Sequence, residues 1–480
     1  MTARLERALA ELAEQMPPAP ARDDLWRRGR RQRRRDRLAV AAGVAVAAVA
    51  VLFAVPGLLA RPAPMEVGGG TDAVPSTVYL PWMWQATVRQ DPRGPASMLV
   101  SGDSIGLRGP DPVDHEGKIA VIGRDGSYRM LLSGGSERVA GEGSILSPDG
   151  RYVAQDHLSG ERDGYVLVTD LTNGKTKRYE GPAGAECCAI PVAWRPDGGA
   201  LVLAELYRVD SDRADPVSGI YLQPGRLVQL DLKTGATRPL LPFDNFSNVR
   251  TASLAAYSPD GSRIAVAVDQ RLRLLDAATG GTLWTAELGE RRYLAGPGAF
   301  TADGRRIATV SLDGCLNDCD TARLASRQWR VGYLDAGSGA DTTGPAMPPV
   351  TAMAVRALGW RQGTDLVAVA YGPEERVRKE AASGWNDTGF WEVGDASLVA
   401  LRPDDTVETL IDPPDAVLSM DVARDLLEAG RFGGEAKEPD IFPARRIIIV
   451  PVAVYSSPVL IVVGGALIGW WGWRRRHGRR

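Results

Sequence analysis

Four nine-residue segments of this 480-residue chain align without gaps: LSPDGRYVA from Leu146, WRPDGGALV from Trp194, YSPDGSRIA from Tyr257 and FTADGRRIA from Phe300. Each has a bulky apolar residue, two variable positions, an Asp-Gly pair and then an apolar strand. The pairs Asp149-Gly150, Asp197-Gly198, Asp260-Gly261 and Asp303-Gly304 supply residues that tolerate positive φ, so each segment reads as a β-hairpin. A fifth copy, WRQGTDLVAV from Trp360, keeps the aromatic lead and loses the Asp-Gly pair. A second signature, Asp-x-x-(Asn/Thr/Ser)-Gly, follows each of the first four, at Asp170 to Gly174, Asp231 to Gly235, Asp276 to Gly280 and Asp335 to Gly339. It too lies between two short strands. Two hairpins per repeat make a four-stranded unit, and the 54 Gly and 33 Pro agree with a turn-rich, all-β chain.

Repeated four-stranded units around an axis are the blades of a propeller. Blades one to four start near Ser144, Val192, Leu254 and Ala299, and blade five runs from about Leu358 to Ile411. Two remnants complete a sixth: AVLSMDVARDLLEAG from Ala416 reads as an inner hairpin, KIAVIGRDGSYRML from Lys118 as an outer one. Closure by both chain ends leaves no open edge. Residues 95–435 therefore resemble six-bladed propellers of the TolB-like and WD40-like type. That resemblance implies fold rather than activity, because propellers serve as binding modules and as enzymes.

The formal net charge of −2 conceals a segregated chain. Residues 1–37 carry +5, residues 38–473 carry −12 and residues 474–480 carry +5. Leu38 to Ala60 is uncharged over 23 residues, which as helix spans ~34 Å against a hydrocarbon core of ~30 Å. Residues 447–473 are also uncharged and end on Trp470, Trp471 and Trp473, aromatic residues suited to a membrane interface. Within about twenty residues of the two spans, fourteen Lys/Arg flank the outer ends and five the inner ends. This predicts a two-pass protein of the cell membrane, with cytoplasmic termini and an extracytoplasmic middle. The expected organisation is a cytoplasmic helix and Arg-rich segment (1–37), a first span (38–60), a linker and entry segment (61–94), the propeller (95–435), a linker (436–446), a second span (447–473) and a basic tail (474–480). The bilayer is one expected partner; the arginine run beside a span reads as a topology signal, and no nucleic acid is expected. Composition rich in Ala, Arg and Gly suggests a high-GC, actinobacterial source.

Leu5, Leu9, Leu12 and Met16 recur at helical spacing before Pro17, which predicts a short amphipathic helix with one apolar face. A short helix with nothing local to pack against calls for a partner. The layout of cytoplasmic helix, basic run, span and external β domain is similar to that of membrane-anchored regulators such as anti-sigma factors, which implies a cytoplasmic partner of the sigma-factor kind. Their His-x-x-x-Cys-x-x-Cys zinc motif is absent here.

The distance between the two turn signatures locates the variable surface. From the first Asp to the second it is 16 positions in blade three, 21 in blade one, 34 in blade two and 32 in blade four. Blade five has its own extension from Gly372. These insertions join second to third strands, and they share one face with the connections between blades. That face, carrying Tyr207 to Ser218, Leu312 to Gln328 and Tyr371 to Asp395, is the expected binding surface for an extracytoplasmic ligand or protein. Cys187, Cys188, Cys315 and Cys319 fall on it as disulfide candidates, and the sequence leaves all three connectivities open. With three histidines in the chain and no nucleophile elbow or metal spacing, no catalytic, cofactor or metal site is predicted. The expectation is a non-enzymatic binding, sensing or scaffold module whose state passes inward through the N-terminal helix. The alternative is a propeller hydrolase or lyase acting on sugars or lactones with acidic loop residues.

Overall fold

The computed structural model describes residues 72–81, 85–102, 118–131, 139–157, 164–180, 188–206, 225–244, 254–316, 319–374, 393–415 and 417–439. They form an all-β, six-bladed propeller within one compact unit, Met65–Ala444. The expected spans 38–60 and 447–473 and the helix of Leu5, Leu9, Leu12 and Met16 lie outside the described residues. Among the described residues no helix is long and apolar enough to cross a membrane.

Each blade is built on four antiparallel strands, in chain order from the axis outward in blades 1 to 5; Val139–Ala140 adds a parallel strand to blade 1, and Val350–Thr351 pairs with Gln328–Asp335 in blade 4. Blade 2 shows the pattern: Cys188–Trp194, Ala200–Leu206, Gly225–Asp231 and Thr237–Phe243. Blades 1, 3, 4 and 5 repeat it within 143–180, 255–287, 292–342 and 354–411. Blade 4 departs from the expected start near Ala299. Its inner strand is Arg292–Leu294, paired to Thr309–Ser311, while Phe300 makes an isolated bridge to Ile307.

The sixth blade is closed by both ends, with a division unlike the expected two plus two. Ser419–Val422 is the innermost strand, and it pairs with Ala96–Gly102, which continues into Lys118–Gly123 and Tyr128–Leu131. One strand thus comes from the C-terminal side and three from the N-terminal side. The second half of the expected inner hairpin is instead the helix Arg424–Glu428, which buries Leu426 and Leu427. Asp425 in its first turn and Gly430 with φ +68° beyond its end are ordinary helix boundary signals. Val74–Pro75 adds a parallel pairing with Phe432–Gly434, and Asp72 forms ion pairs with Arg124 (3.0 Å) and Arg431 (2.6 Å).

The repeated residues do defined work. Gly150, Gly198, Gly261 and Gly304 all take φ between +65° and +71°, while Asp149, Asp197, Asp260 and Asp303 accept hydrogen bonds inside their own turns. In the outer turns, the N–H groups of Gly174, Gly235, Gly280 and Gly339 donate to the carbonyls of Asp170, Asp231, Asp276 and Asp335, each at 2.8 Å. The aromatic lead residues Trp194, Tyr257, Phe300 and Trp360 are buried and lock each blade to the one before it. Trp194 Nε1 donates to the Ile145 carbonyl (3.2 Å), Trp360 Nε1 donates to the Gly298 carbonyl (3.1 Å), and the Tyr257 hydroxyl accepts from Gln229 (2.8 Å). Apolar strand faces packed between blades form the core, so the bulky lead at each repeat is an interblade wedge.

Candidate functional site

Alternation of strand direction puts the two Asp-bearing turns of blades 1 to 4 on one face, and puts second-to-third-strand loops and blade connections on the other. The turn face is tight. The loop face holds two adjoining features, an axial polar cluster and an open cavity.

The axial cluster is assembled from strand ends of three blades. Arg356, near the start of the inner strand Ala354–Arg361 of blade 5, is 2% exposed. Its Nε donates to the Tyr371 hydroxyl (3.1 Å), and its Nη2 donates to the Met420 carbonyl (2.5 Å) of blade 6 and the Ala140 carbonyl (3.4 Å) at the entry to blade 1. Its Nη1 is enclosed without a hydrogen-bond partner. The Tyr371 hydroxyl also lies 3.0 Å from Ser419 Oγ and 3.3 Å from Glu142 Oε1. Asp421, two residues on from Ser419, accepts the Leu146 N–H (2.9 Å) and so ties blade 6 to blade 1. Burial opposes the charge of Arg356, but neighbouring Tyr371, Asp421 and Glu142 outweigh it and raise its pKa. Burial likewise lifts the Asp421 carboxyl above the ordinary range, against the pull of Arg356 and two backbone N–H groups. Each charge is tolerable there through the other.

The cavity, of about 230 Å³, is lined by Thr351, Met353, Tyr371, Gly372, Asp395 and Ser397 among others. Tyr371 is common to cavity and cluster. Partial desolvation, then the carboxylates of Asp415 and Asp412, raise the pKa of Asp395, opposed by the Gly372 N–H. The outer wall is fixed by the blade 4 insertion, where Cys315 and Cys319 form a disulfide (Cα–Cα 6.0 Å). Buried Arg327 grips that loop through the carbonyls of Cys315 (2.8 Å) and Leu316 (2.9 Å), and reaches the Met353 carbonyl of the cavity (3.3 Å). The short helix Thr321–Ala325, capped by Asp320, follows the disulfide and places Ala325 on the cavity.

Cys188 opens the inner strand of blade 2, while Cys187 and the insertion Tyr207 to Ser218 lie outside the described residues. Among the described residues no group of three or more His, Cys, Asp and Glu is arranged to hold a metal ion. The turn residues of the repeats sit on the face opposite the cavity. The axial residues Arg356, Tyr371, Glu142, Ser419 and Asp421 escape sequence reasoning because they come from separate segments of three blades, and only Ser419 and Asp421 share a strand. The available signal is a charge inside an apolar strand, as in AVRALGW and SMDV.

The fold and site define a six-bladed propeller with one elaborated face. No family model matches the chain, and no curated protein matches it. Among solved structures it is similar to an oligogalacturonate lyase in complex with manganese, with 16% identity, a TM-score of 0.40, and coverage of 70% of this chain and 78% of that one. It is also similar to TolB from Acinetobacter baumannii, with 15% identity, a TM-score of 0.37, and coverage of 69% and 66%. TolB-like neighbours include a putative TolB from Agrobacterium tumefaciens, with 14% identity, a TM-score of 0.34, and coverage of 69% and 99%. At these identities and TM-scores the neighbours carry nothing about what this chain does.

Proposed function

We propose that this chain is a membrane-anchored extracytoplasmic propeller that binds a ligand or protein at its loop face, as a non-enzymatic sensing or scaffold module. Its N-terminal helix, with Leu5, Leu9, Leu12 and Met16, then passes the bound state to a cytoplasmic partner such as a sigma-type regulator. The observation that carries the reading is the convergence of cavity, axial cluster and strand insertions on one face, opposite a face of short self-satisfied turns. Binding residues concentrate on loops held by a rigid scaffold.

The test is site-specific photocrosslinking in cells from loop-face positions such as Ala325 and Ser397, and from turn-face positions such as Lys233 and Asp404. Capture of one partner from the loop face alone supports the reading; equal capture from both faces, or capture from the turn face alone, overturns it. A catalytic reading draws on one observation, the raised carboxyl of Asp395 beside the cavity, a state suited to general acid chemistry on a sugar or lactone. Turnover of such substrates that disappears in Asp395→Asn would establish that reading instead.

A further inference from the structure

The arginine at the axis is enclosed yet incompletely used. An enclosed N–H without an acceptor is unfavourable, and more so when it carries charge. Nη1 of Arg356 is such a group, while the remaining donors of the guanidinium are held by Tyr371, Met420 and Ala140.

Gly141 covers the guanidinium, and it opens the three-residue segment Gly141, Glu142 and Gly143. Gly141 (φ +82°) lies so close that a Cβ there would stand 2.3 Å from Nη1. Gly143 (φ +69°) faces the Asp156 carboxylate, with a Cβ position 3.3 Å from Oδ2. The segment closes on itself through Gly141 N–H to Ser144 carbonyl (2.7 Å) and Glu142 N–H to Val139 carbonyl (3.1 Å). Two glycines with left-handed backbone flank one part-exposed glutamate, whose carboxylate meets the Tyr371 hydroxyl above the buried cation. A carboxylate carried on a glycine-flanked turn over a buried arginine has the form of an occupant that can be exchanged.

We propose that Arg356, Tyr371 and Ser419 form a receptor for the carboxylate of a small-molecule ligand, and that Glu142 holds that position until the ligand replaces it. Exchange satisfies the electrostatics where simple addition does not. Asp421 already supplies a carboxyl that acts on Arg356, so an extra anion is repelled, whereas a carboxylate entering as Glu142 leaves keeps the charge constant. The donor left for a carboxylate is Nη1, beside the Tyr371 hydroxyl, because Nε and Nη2 are already engaged. The inference rests on the loop face being the binding face; partner capture tests that reading and carboxylate binding tests this one, so the two fail separately.

The experiment is calorimetric titration of the purified full chain with succinate and with its neutral counterpart succinamide. Glu142→Gln keeps the turn and removes the competing charge, so it is expected to bind succinate about tenfold or more tighter than the unsubstituted protein. Adding Tyr371→Phe to that variant is expected to weaken binding again, and succinamide is expected not to bind. Because Arg356→Gln threatens folding, the Tyr371 variant carries the weight on the receptor side. Equal succinate affinity in Glu142→Gln and the unsubstituted chain, equal binding of succinamide, or no binding to Glu142→Gln up to ~50 mM succinate overturns the proposal.

Discussion

Replacing Arg356 by methionine removes a cation and leaves its environment in place. Asp421, 8% exposed, then stays buried without the charge that offsets its desolvation, and the carbonyls of Met420 and Ala140 lose a donor. Arg356 and Asp421 interact through charge without a direct salt bridge, and leaving a buried carboxylate without its compensating cation costs about 3–5 kcal/mol. For a unit spanning Met65–Ala444, with an unfolding entropy of roughly 0.8 kcal/mol/K, that lowers Tm by about 5 °C. Asp421→Asn removes the carboxylate and leaves Arg356 beside Glu142 and Tyr371, at a smaller cost of about 1–3 kcal/mol. The double variant is expected to lose less than the two singles together, by about 1–3 kcal/mol, because it removes both charges and orphans neither. In Arg356→Met the folded-state pKa of Asp421 moves further above its unfolded value, so the native state binds more protons than the unfolded state and stability falls as pH rises. The Tm deficit of Arg356→Met therefore narrows from pH 7 toward pH 5. Thermal unfolding followed by tryptophan fluorescence measures all three variants. Additivity to within ~0.5 kcal/mol, with a deficit unchanged by pH, would refute the reasoning.

Two further outcomes are expected. Gly150 and Gly198 have nearly the same φ, +69° and +70°, but a Cβ on Gly150 would lie 2.1 Å from the Ala96 carbonyl while one on Gly198 meets nothing within 4 Å. Gly198→Ala is expected to cost about 1–2 kcal/mol from backbone strain alone and Gly150→Ala distinctly more, with equal unfolding midpoints counting against the closure contact. Asp395 has a raised folded-state pKa, so its charge works against the fold above the ordinary value of ~3.9 and has no differential effect below it. Asp395→Asn should therefore raise Tm at pH 7 and leave it unchanged near pH 3; a Tm gain that persists at pH 3 would show a cause other than charge.

The blades were legible because each is a local object. An Asp-Gly turn, an aromatic lead and an apolar strand lie within nine residues, and hairpin pairing needs no distant information. Blade closure was legible as a principle, since the unpaired remnants at the two ends were complementary. Its division into three strands and one was not. DVARDLLEAG satisfies a helical as well as a strand pattern in isolation, and the tie was decided when Leu426 and Leu427 found the core while Ala96–Gly102 took the neighbouring place in the sheet.

The repeat, the fold class, the face that carries the insertions and the partition of charge into basic ends and an acidic middle were all legible along the chain. Each of these follows from neighbours along the chain. The tertiary structure alone decided the axial cluster, in which residues separated by as many as 279 positions (Ala140 and Ser419) are hydrogen-bonded, and the burial that shifts Arg356 and Asp421. Burial and charge pairing are properties of where strands from different blades meet, and no period in a sequence encodes that meeting point.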